Sequence, residues 1–297
     1  MTRHTLTMLV LLGGASWAGA ADGPAGEVRF GVVAAMFKNL PAGTAKVLGG
    51  PLRSLFAQRA GVTGGEIVLA PDSAALAKQV ADGTCQLGVF QGFEFAWAKA
   101  RHPELEPLVV TVYPAGRPRA CVVVREDSPA TTLSDLKGQA VTVPVFTRGH
   151  CLIYLEKQRA GLPATTAAPL PPKGTPEEAL DAVVSAAAPA ALMDASALAG
   201  YASLYPGAAK RLRVLCQSEA FPQNVIAYAK GRLPTGTADK LRAALVDAHR
   251  VPAGKPLMML WNIARLDHAP ADYADHLSES LKSYPFPAGQ TSAADSD

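Results

Sequence analysis

Short apolar, β-branched runs alternate with longer amphipathic runs from Glu27 to Ser283, and few folds accept that order. Glu27–Val33 reads as a strand, followed by the loop Ala34–Thr44 and a helix whose second part opens at Pro51 and closes at Gly61. Glu66–Ala70 reads as a strand. Asp72 is placed to cap a helix over Ser73–Ala81, which Gly83 ends. Gln86–Phe90 is the next strand and Gly92–Arg101 the next helix. The pattern implies an α/β architecture, with a mostly parallel sheet and helices on both faces.

Leu108–Tyr113 and Arg119–Arg125 are both strand-like, and Pro114–Pro118 joins them. The alternation then restarts with a helical turn at Leu133–Leu136, a strand at Ala140–Val145 and a helix at Gly149–Arg159. Thr175 caps Pro176–Ala187, with Glu177 and Glu178 in the first turn where negative charge suits the helix dipole. Ala190–Met193 is a buried-type strand ending at Asp194, and Leu212–Cys216 is the last strand of this unit. Gln217–Gln223 leads back to a strand at Asn224–Ala229, and helices at Thr237–Ala248, Pro256–Arg265 and Ala271–Ser283 finish the chain. The order predicts one lobe from 27–117 plus 222–286, and a second lobe, 118–221, inserted between its parts. Two crossing segments then form a hinge. Ligands in open α/β sheets bind beyond the carboxyl ends of strands, so the cleft between the lobes is the expected site.

The ends of the chain read differently. Arg3 and His4 precede the apolar run Leu6–Leu12, and Ala18-Gly19-Ala20 has the small-x-small form of a secretory cleavage site. Residues 1–20 are therefore expected to be a signal peptide, too short in its apolar part to act as an anchor. The tail 287–297, rich in Ser, Ala and Asp, is expected to be disordered. A net charge of +3 is scattered without a basic stripe, so no nucleic-acid partner is expected. Export makes disulfides possible among Cys85, Cys121, Cys151 and Cys216. The chain has no C-x-x-C and no H-x-x-x-H pair, so spacing gives no metal site, and no cofactor is expected.

Chemistry-bearing residues concentrate in one stretch, Val143 to Leu162, reading VPVFTRGHCLIYLEKQRAGL. Thr147 stands where a helix N-cap belongs, and the free amides of a helix start, with the positive dipole end, make an anion site. Arg148 either grips a carboxylate or phosphate bidentately or extends into solvent. His150 is either a ligand contact or a surface residue. Cys151, in the first turn, is a nucleophile if its thiol pKa is depressed and a structural residue if it is buried. Asp194 either accepts from a ligand or caps the helix beginning near Ser196. Phe93 could stack on a ligand, whereas Trp97 belongs to the core.

Three stretches carry a family likeness: DGTCQLGVFQGFEFA (Asp82–Ala96), VVVREDSPATTLSDLKGQAVTV (Val122–Val143) and LRVLCQSEAFPQNVIAY (Leu212–Tyr228). With them the chain resembles the phosphonate/phosphite/phosphate-type periplasmic solute-binding proteins of ABC transporters. The resemblance implies a type II periplasmic binding fold, with two mixed sheets flanked by helices and a hinge of two crossover segments. It further implies a periplasmic, monomeric, non-enzymatic protein that closes on a small, anionic solute and presents it to an ABC permease in the inner membrane. Ligand contacts would fall at Met36, Phe37, Gln91, Gly92, Phe93, Thr147, Arg148, Gly149, His150 and Asp194. The chain departs from the family where a Ser-Thr-Ser-Gly-like cradle is replaced by Phe146-Thr147-Arg148-Gly149, and where Met36 and Phe37 offer no tyrosine hydroxyl. The Gly-Pro usual after the third strand is also missing, since Gln91-Gly92 is followed by Phe93. Specificity is expected to lie in Arg148 and His150, where the pattern breaks. Because the crossovers of this fold run side by side, Cys121 and Cys216 are expected to form a disulfide. The alternatives are an enzyme on the same fold using His150, Cys151 and Asp194, or a ligand sensor for a membrane receptor.

Overall fold

The structure is a computed structural model that describes residues 27–34, 44–136, 138–145, 147–160 and 172–287. The expected signal peptide, Met36, Phe37 and almost all of the expected tail lie outside the described residues. In chain order the elements are β1 (Glu27–Val33), α1 (Thr44–Arg59), β2 (Thr63–Ala70), α2 (Ser73–Asp82), β3 (Leu87–Phe90), α3 (Gly92–Arg101), β4 (Leu105–Val112) and β5 (Ala120–Arg125). After a 3-10 turn at Leu133–Leu136 come β6 (Val141–Pro144), α4 (Gly149–Ala160), β7 (Pro172–Lys173), α5 (Pro176–Val184), β8 (Ala190–Asp194), α6 (Ala195–Leu204), α7 (Pro206–Ala209) and β9 (Leu212–Gln217). β10 (Val225–Ala229), α8 (Thr237–Val246), α9 (Lys255–Trp261), β11 (Arg265–Asp267) and α10 (Tyr273–Ser283) complete the order.

Two sheets form. The first has the order β11-β4-β10-β3-β1-β2, the second β7-β6-β8-β5-β9. Neither is mostly parallel as the alternation alone predicts. β1 pairs parallel with β2 and β3, but β10 runs antiparallel to β3 and β4, and β11 antiparallel to β4. In the second sheet β6 is parallel to β7 and β8, while β5 is antiparallel to β8 and β9. The reversals occur at strands that enter or leave across the hinge, whose direction is set by the crossing and not by a βαβ unit. β11 is a further departure. The helix expected over Pro256–Arg265 ends at Trp261, because Asn262 takes a left-handed conformation (φ 47°) and Arg265–Asp267 then pairs with Thr111 and its neighbours.

Each sheet is covered on both faces. Val28, Phe30, Val32 and Leu108 pack with Leu52, Leu55 and Phe56 of α1 and with Leu241 and Leu245 of α8. On the opposite face Val33, Phe90 and Val110 pack with Leu76 and Val80 of α2 and with Phe95 of α3. Alternation along β5 does the same in the second sheet, sending Val122 and Val124 to one core and Cys121 and Val123 to the other. This period-2 alternation decides the cysteines. Cys121 is paired in register with Gln217 and Cys216 with Val122, so the two thiols leave opposite faces of the sheet. Both are free, and the expected disulfide does not form.

Residues 113–119 and 218–224 carry the chain between the sheets, and they are zipped together. Ser218 N–H donates to the Ala120 carbonyl at 2.8 Å, Phe221 N–H to the Pro118 carbonyl at 2.9 Å, and Ala120 N–H to Ser218 Oγ at 2.9 Å. Arg117 donates to the carbonyls of Ala220 (2.7 Å) and Phe221 (3.2 Å). Beside this ribbon an aromatic cluster joins both lobes: Phe93 lies 5.0 Å from Trp97 and 6.2 Å from Phe221, and Phe221 lies 4.7 Å from Tyr284. Trp97 Nε1 donates to the Tyr284 carbonyl at 2.8 Å, tying α3 to the end of α10.

Candidate functional site

The carboxyl ends of β3 and β8 lead at once into the N-termini of α3 and α6, and α4 begins five residues after β6 ends. β6 and β8 are parallel neighbours, with Val141 opposite Ala190, so the residues that follow them are brought side by side. That adjacency places His150 of α4 against Asp194, 44 residues later in the chain. α3 belongs to the other lobe, yet its first turn reaches the same place. A Cβ on Gly149 would sit 2.5 Å from Gln91 Nε2, so the starts of α3 and α4 touch across the cleft. An α-helix leaves its first amides without intrahelical partners, and the dipoles of both helices point their positive ends here.

Arg148 spans the lobes. Its guanidinium lies 3.5 Å from Asp194 Oδ2, donates to the Trp261 carbonyl at 3.0 Å, and sits 4.7 Å from the centre of the Tyr113 ring. His150 Nε2 lies 2.9 Å from Asp194 Oδ2 and 3.4 Å from Cys151 Sγ. Asp194 caps α6, with Oδ1 accepting from the Ser196 amide at 2.7 Å and from the Ser196 hydroxyl. Burial would by itself raise the Asp194 pKa. The hydrogen bond and charge of His150, with the nearby Arg148, instead hold it well below the ordinary carboxylate range. Burial, with Asp194 beside it, drives the Cys151 thiol well above its usual value. Glu94 accepts the Gln91 amide at 3.0 Å; burial pushes it up to about 7, and that hydrogen bond acts in the opposite direction.

The expected ligand residues do not all meet in one place. Gln91, Arg148, Gly149, His150 and Asp194 come together at the cleft. Thr147 is present but does not cap α4; its hydroxyl donates to the Pro144 carbonyl at 2.7 Å, and the Arg148 carbonyl accepts from the Cys151 amide at 3.0 Å. Gly92 packs against the second crossover: a Cβ there would lie 2.1 Å from the Pro222 carbonyl oxygen. Phe93 is 5% exposed within the aromatic cluster of the hinge, so it is core and not a stacking surface. His150, 2% exposed, is no surface residue; its ring lies 5.3 Å from that of Phe221. Sequence reasoning missed Tyr113 and Trp261 as partners of Arg148. It also missed Asn224, which binds Tyr113 Oη at 2.8 Å and accepts from the Gly92 amide at 3.3 Å. Nothing in local spacing signals them, since Trp261 is separated from Arg148 by 113 positions. A cavity of about 280 Å³ lined by Arg117, Arg119, Glu219, Glu279 and Tyr284 belongs to the crossovers and α10 and contains none of the candidate ligand residues.

The imidazole cannot relay a proton between Asp194 and Cys151, because a relay needs one partner on each ring nitrogen and here both face Nε2. Spacing along the chain suggests no metal ligands, yet the fold gathers one nitrogen, one sulfur and one carboxylate donor from His150, Cys151 and Asp194 within 4.8 Å of one another.

Two mixed sheets flanked by helices and joined by a double crossover, with helix N-termini from both sides meeting between them, give the type II periplasmic binding fold. A family model described as the periplasmic phosphonate substrate-binding protein of ABC transporters matches residues 41–274, and the chain belongs to that family. Among solved structures the chain is similar to a Xanthomonas citri protein bound to chloride ion, with 19% identity, a TM-score of 0.61, and 87% of this chain and 97% of that one covered. It is also similar to PhnD1 of Prochlorococcus marinus in complex with methylphosphonate, at 13% identity and TM-score 0.59 over 86% and 97% of the two chains. A third is the binding-protein component of an ABC phosphonate transporter from Pseudomonas aeruginosa, at 14% identity and TM-score 0.55 over 87% of each. At these identities the likeness is one of fold. No curated protein sequence matches the chain. No helix among the described residues is long and apolar enough to cross a membrane.

Proposed function

We propose that the protein captures a small oxyanion of the phosphonate or phosphate class between its lobes and delivers it to an ABC permease. The observation that carries this reading is the contact of the α3 and α4 N-termini across the cleft, with Arg148 beside them. Backbone amides and a guanidinium are the groups that recognise an oxyanion, and a ligand touching both helices stabilises closure. Arg148 makes the link between solute and hinge, since it already holds Asp194 on one side and Trp261 and Tyr113 on the other. In this reading residues 27–117 and 222–286 form one lobe and 118–221 the other. The chain is exported behind a leader at 1–20, works as a monomer, and performs no catalysis. The buried, protonated thiol of Cys151 and the shared Nε2 of His150 support that last point.

The test is a thermal-shift panel of methylphosphonate, phosphate, sulfate, amino acids and neutral sugars. A ligand of the native state raises the midpoint with its concentration, by about 2.7 kcal/mol of stability at a hundred times Kd. The oxyanions should produce the rise, and Arg148→Ala should abolish it. If no oxyanion shifts the midpoint while a neutral or cationic compound does, the proposal fails.

A further inference from the structure

We propose that His150, Cys151 and Asp194 form a binding site for a divalent transition-metal ion of the zinc class, with three protein ligands and one coordination position left for water or an anion. The donor set is one imidazole nitrogen, one sulfur and one carboxylate oxygen, all within 4.8 Å of one another. Such mixed N, S, O sets are those zinc and its neighbours accept, whereas magnesium and calcium require oxygen.

One of the three donor spacings already suits the ion. Tetrahedral coordination at zinc bond lengths sets neighbouring donors about 3.3–3.6 Å apart. Cys151 Sγ and His150 Nε2 are already 3.4 Å apart; the 2.9 Å separation of Nε2 from Asp194 Oδ2 has to open by a few tenths of an ångström, and the thiol and carboxylate, within 4.8 Å of each other, have to draw in around the ion. His150 and Cys151 sit in the first turn of α4 and Asp194 ends β8, so all three stand on regular elements. Asp194 is positioned for the task by its other oxygen, which accepts the Ser196 amide and hydroxyl and leaves Oδ2 to the ion. His150 is steered by the Phe221 ring.

The thiol distinguishes this cluster from an ordinary buried ion pair. His150 and Asp194 satisfy each other without Cys151, whose sulfur nevertheless faces the same ring nitrogen. Cys121, by contrast, donates to the Met193 carbonyl, at 3.5 Å. Coordination replaces the Cys151 thiol proton, which leaves to solvent, and requires the imidazole proton on Nδ1; no electron is transferred. A thiolate and a carboxylate balance the two charges of the ion. Arg148 then gives up its share of Asp194 and keeps Trp261 and Tyr113, with its remaining donors turned to an incoming anion.

The test uses full-length protein freed of metal by a chelator, with no solute added, so that its outcome is independent of oxyanion binding. Co(II) titration should produce a near-ultraviolet thiolate-to-cobalt charge-transfer band that saturates at one ion per chain and is bleached by Zn(II). Cys151→Ser should lose the band while Cys121→Ser and Cys216→Ser retain it. His150→Gln and Asp194→Asn, which keep shape and, for Asn, a helix cap, should weaken Co(II) binding by more than tenfold. No band in the wild-type protein, or a band retained in Cys151→Ser, or Co(II) affinity unchanged in both His150→Gln and Asp194→Asn, would overturn the proposal.

Discussion

Replacing Gly92 with alanine tests whether α3 is locked against the second crossover. The new Cβ would lie 2.1 Å from the Pro222 oxygen and 2.5 Å from its carbonyl carbon, where ordinary contact begins near 3.4 Å. Something must therefore retreat by more than 1 Å. The carbonyl has little freedom: Phe221 before it is 2% exposed, bonded through its amide to Pro118 and through its carbonyl to Arg117. Gly92 is held from its own side by the Asn224 side chain. Overpacking of this kind costs about 1–3 kcal/mol. The matched control is Gly200→Ala, an exposed position inside α6 with no atom within 4 Å of the new Cβ. There alanine should stabilise by about 0.5–1 kcal/mol through helix propensity alone. The two variants should thus differ by roughly 1.5–4 kcal/mol. That corresponds to melting points about 3–16 °C apart for a chain of this size. Denaturant unfolding and thermal melts of both variants read the difference. If Gly92→Ala melts at or above the wild-type temperature, the contact with Pro222 does not constrain the hinge. If it melts normally but loses oxyanion affinity, Gly92 serves the solute instead.

Two further expectations follow from the same packing. Glu94 has its pKa raised from 4.5 to about 7 by burial, so the native state holds a proton that the unfolded chain has lost between those values. Its contribution is fully present below pH 4.5 and disappears as pH rises through 7. The upper bound is about 3–4 kcal/mol, and roughly 1–2 kcal/mol once the partial exposure of the residue is allowed for. Glu94→Gln should therefore flatten the fall in urea midpoint between pH 5 and pH 8, and an unchanged slope would sink the assignment. With the thiols free, a reducing agent should leave the melting point unaltered, and a thiol reagent should modify Cys216 before the buried Cys85, Cys121 and Cys151. A Cys121–Cys216 bridge would instead contribute about 2–4 kcal/mol, which reduction would remove as a clear drop in the melting point.

Local chemistry was enough to locate most elements. Asp72 caps α2 and accepts the Ala75 amide at 2.8 Å, Gly83 ends that helix at φ 87°, and Thr175 with Glu178 forms the capping box of α5. These interactions span three or four residues, which is why spacing alone reveals them. The same local logic overextended α9 and missed β11, because a three-residue edge strand exists only by pairing with β4. It also set a cap at Thr147, whose hydroxyl instead turns back to Pro144.

By itself, then, the amino-acid order determined the alternation of elements, the two-lobed organisation and the start of a helix shortly after β6. Tertiary structure decided what those residues face. Strand register separated Cys121 from Cys216 and set His150 beside Asp194; the crossover turned Gly92 and Phe93 from ligand candidates into packing; and lobe contact gave Arg148 its partners Tyr113 and Trp261. The division has one cause. Caps and periodicities are free energies of near neighbours in the chain, whereas pairing register and lobe contact depend on segments that become neighbours only after the sheets have formed.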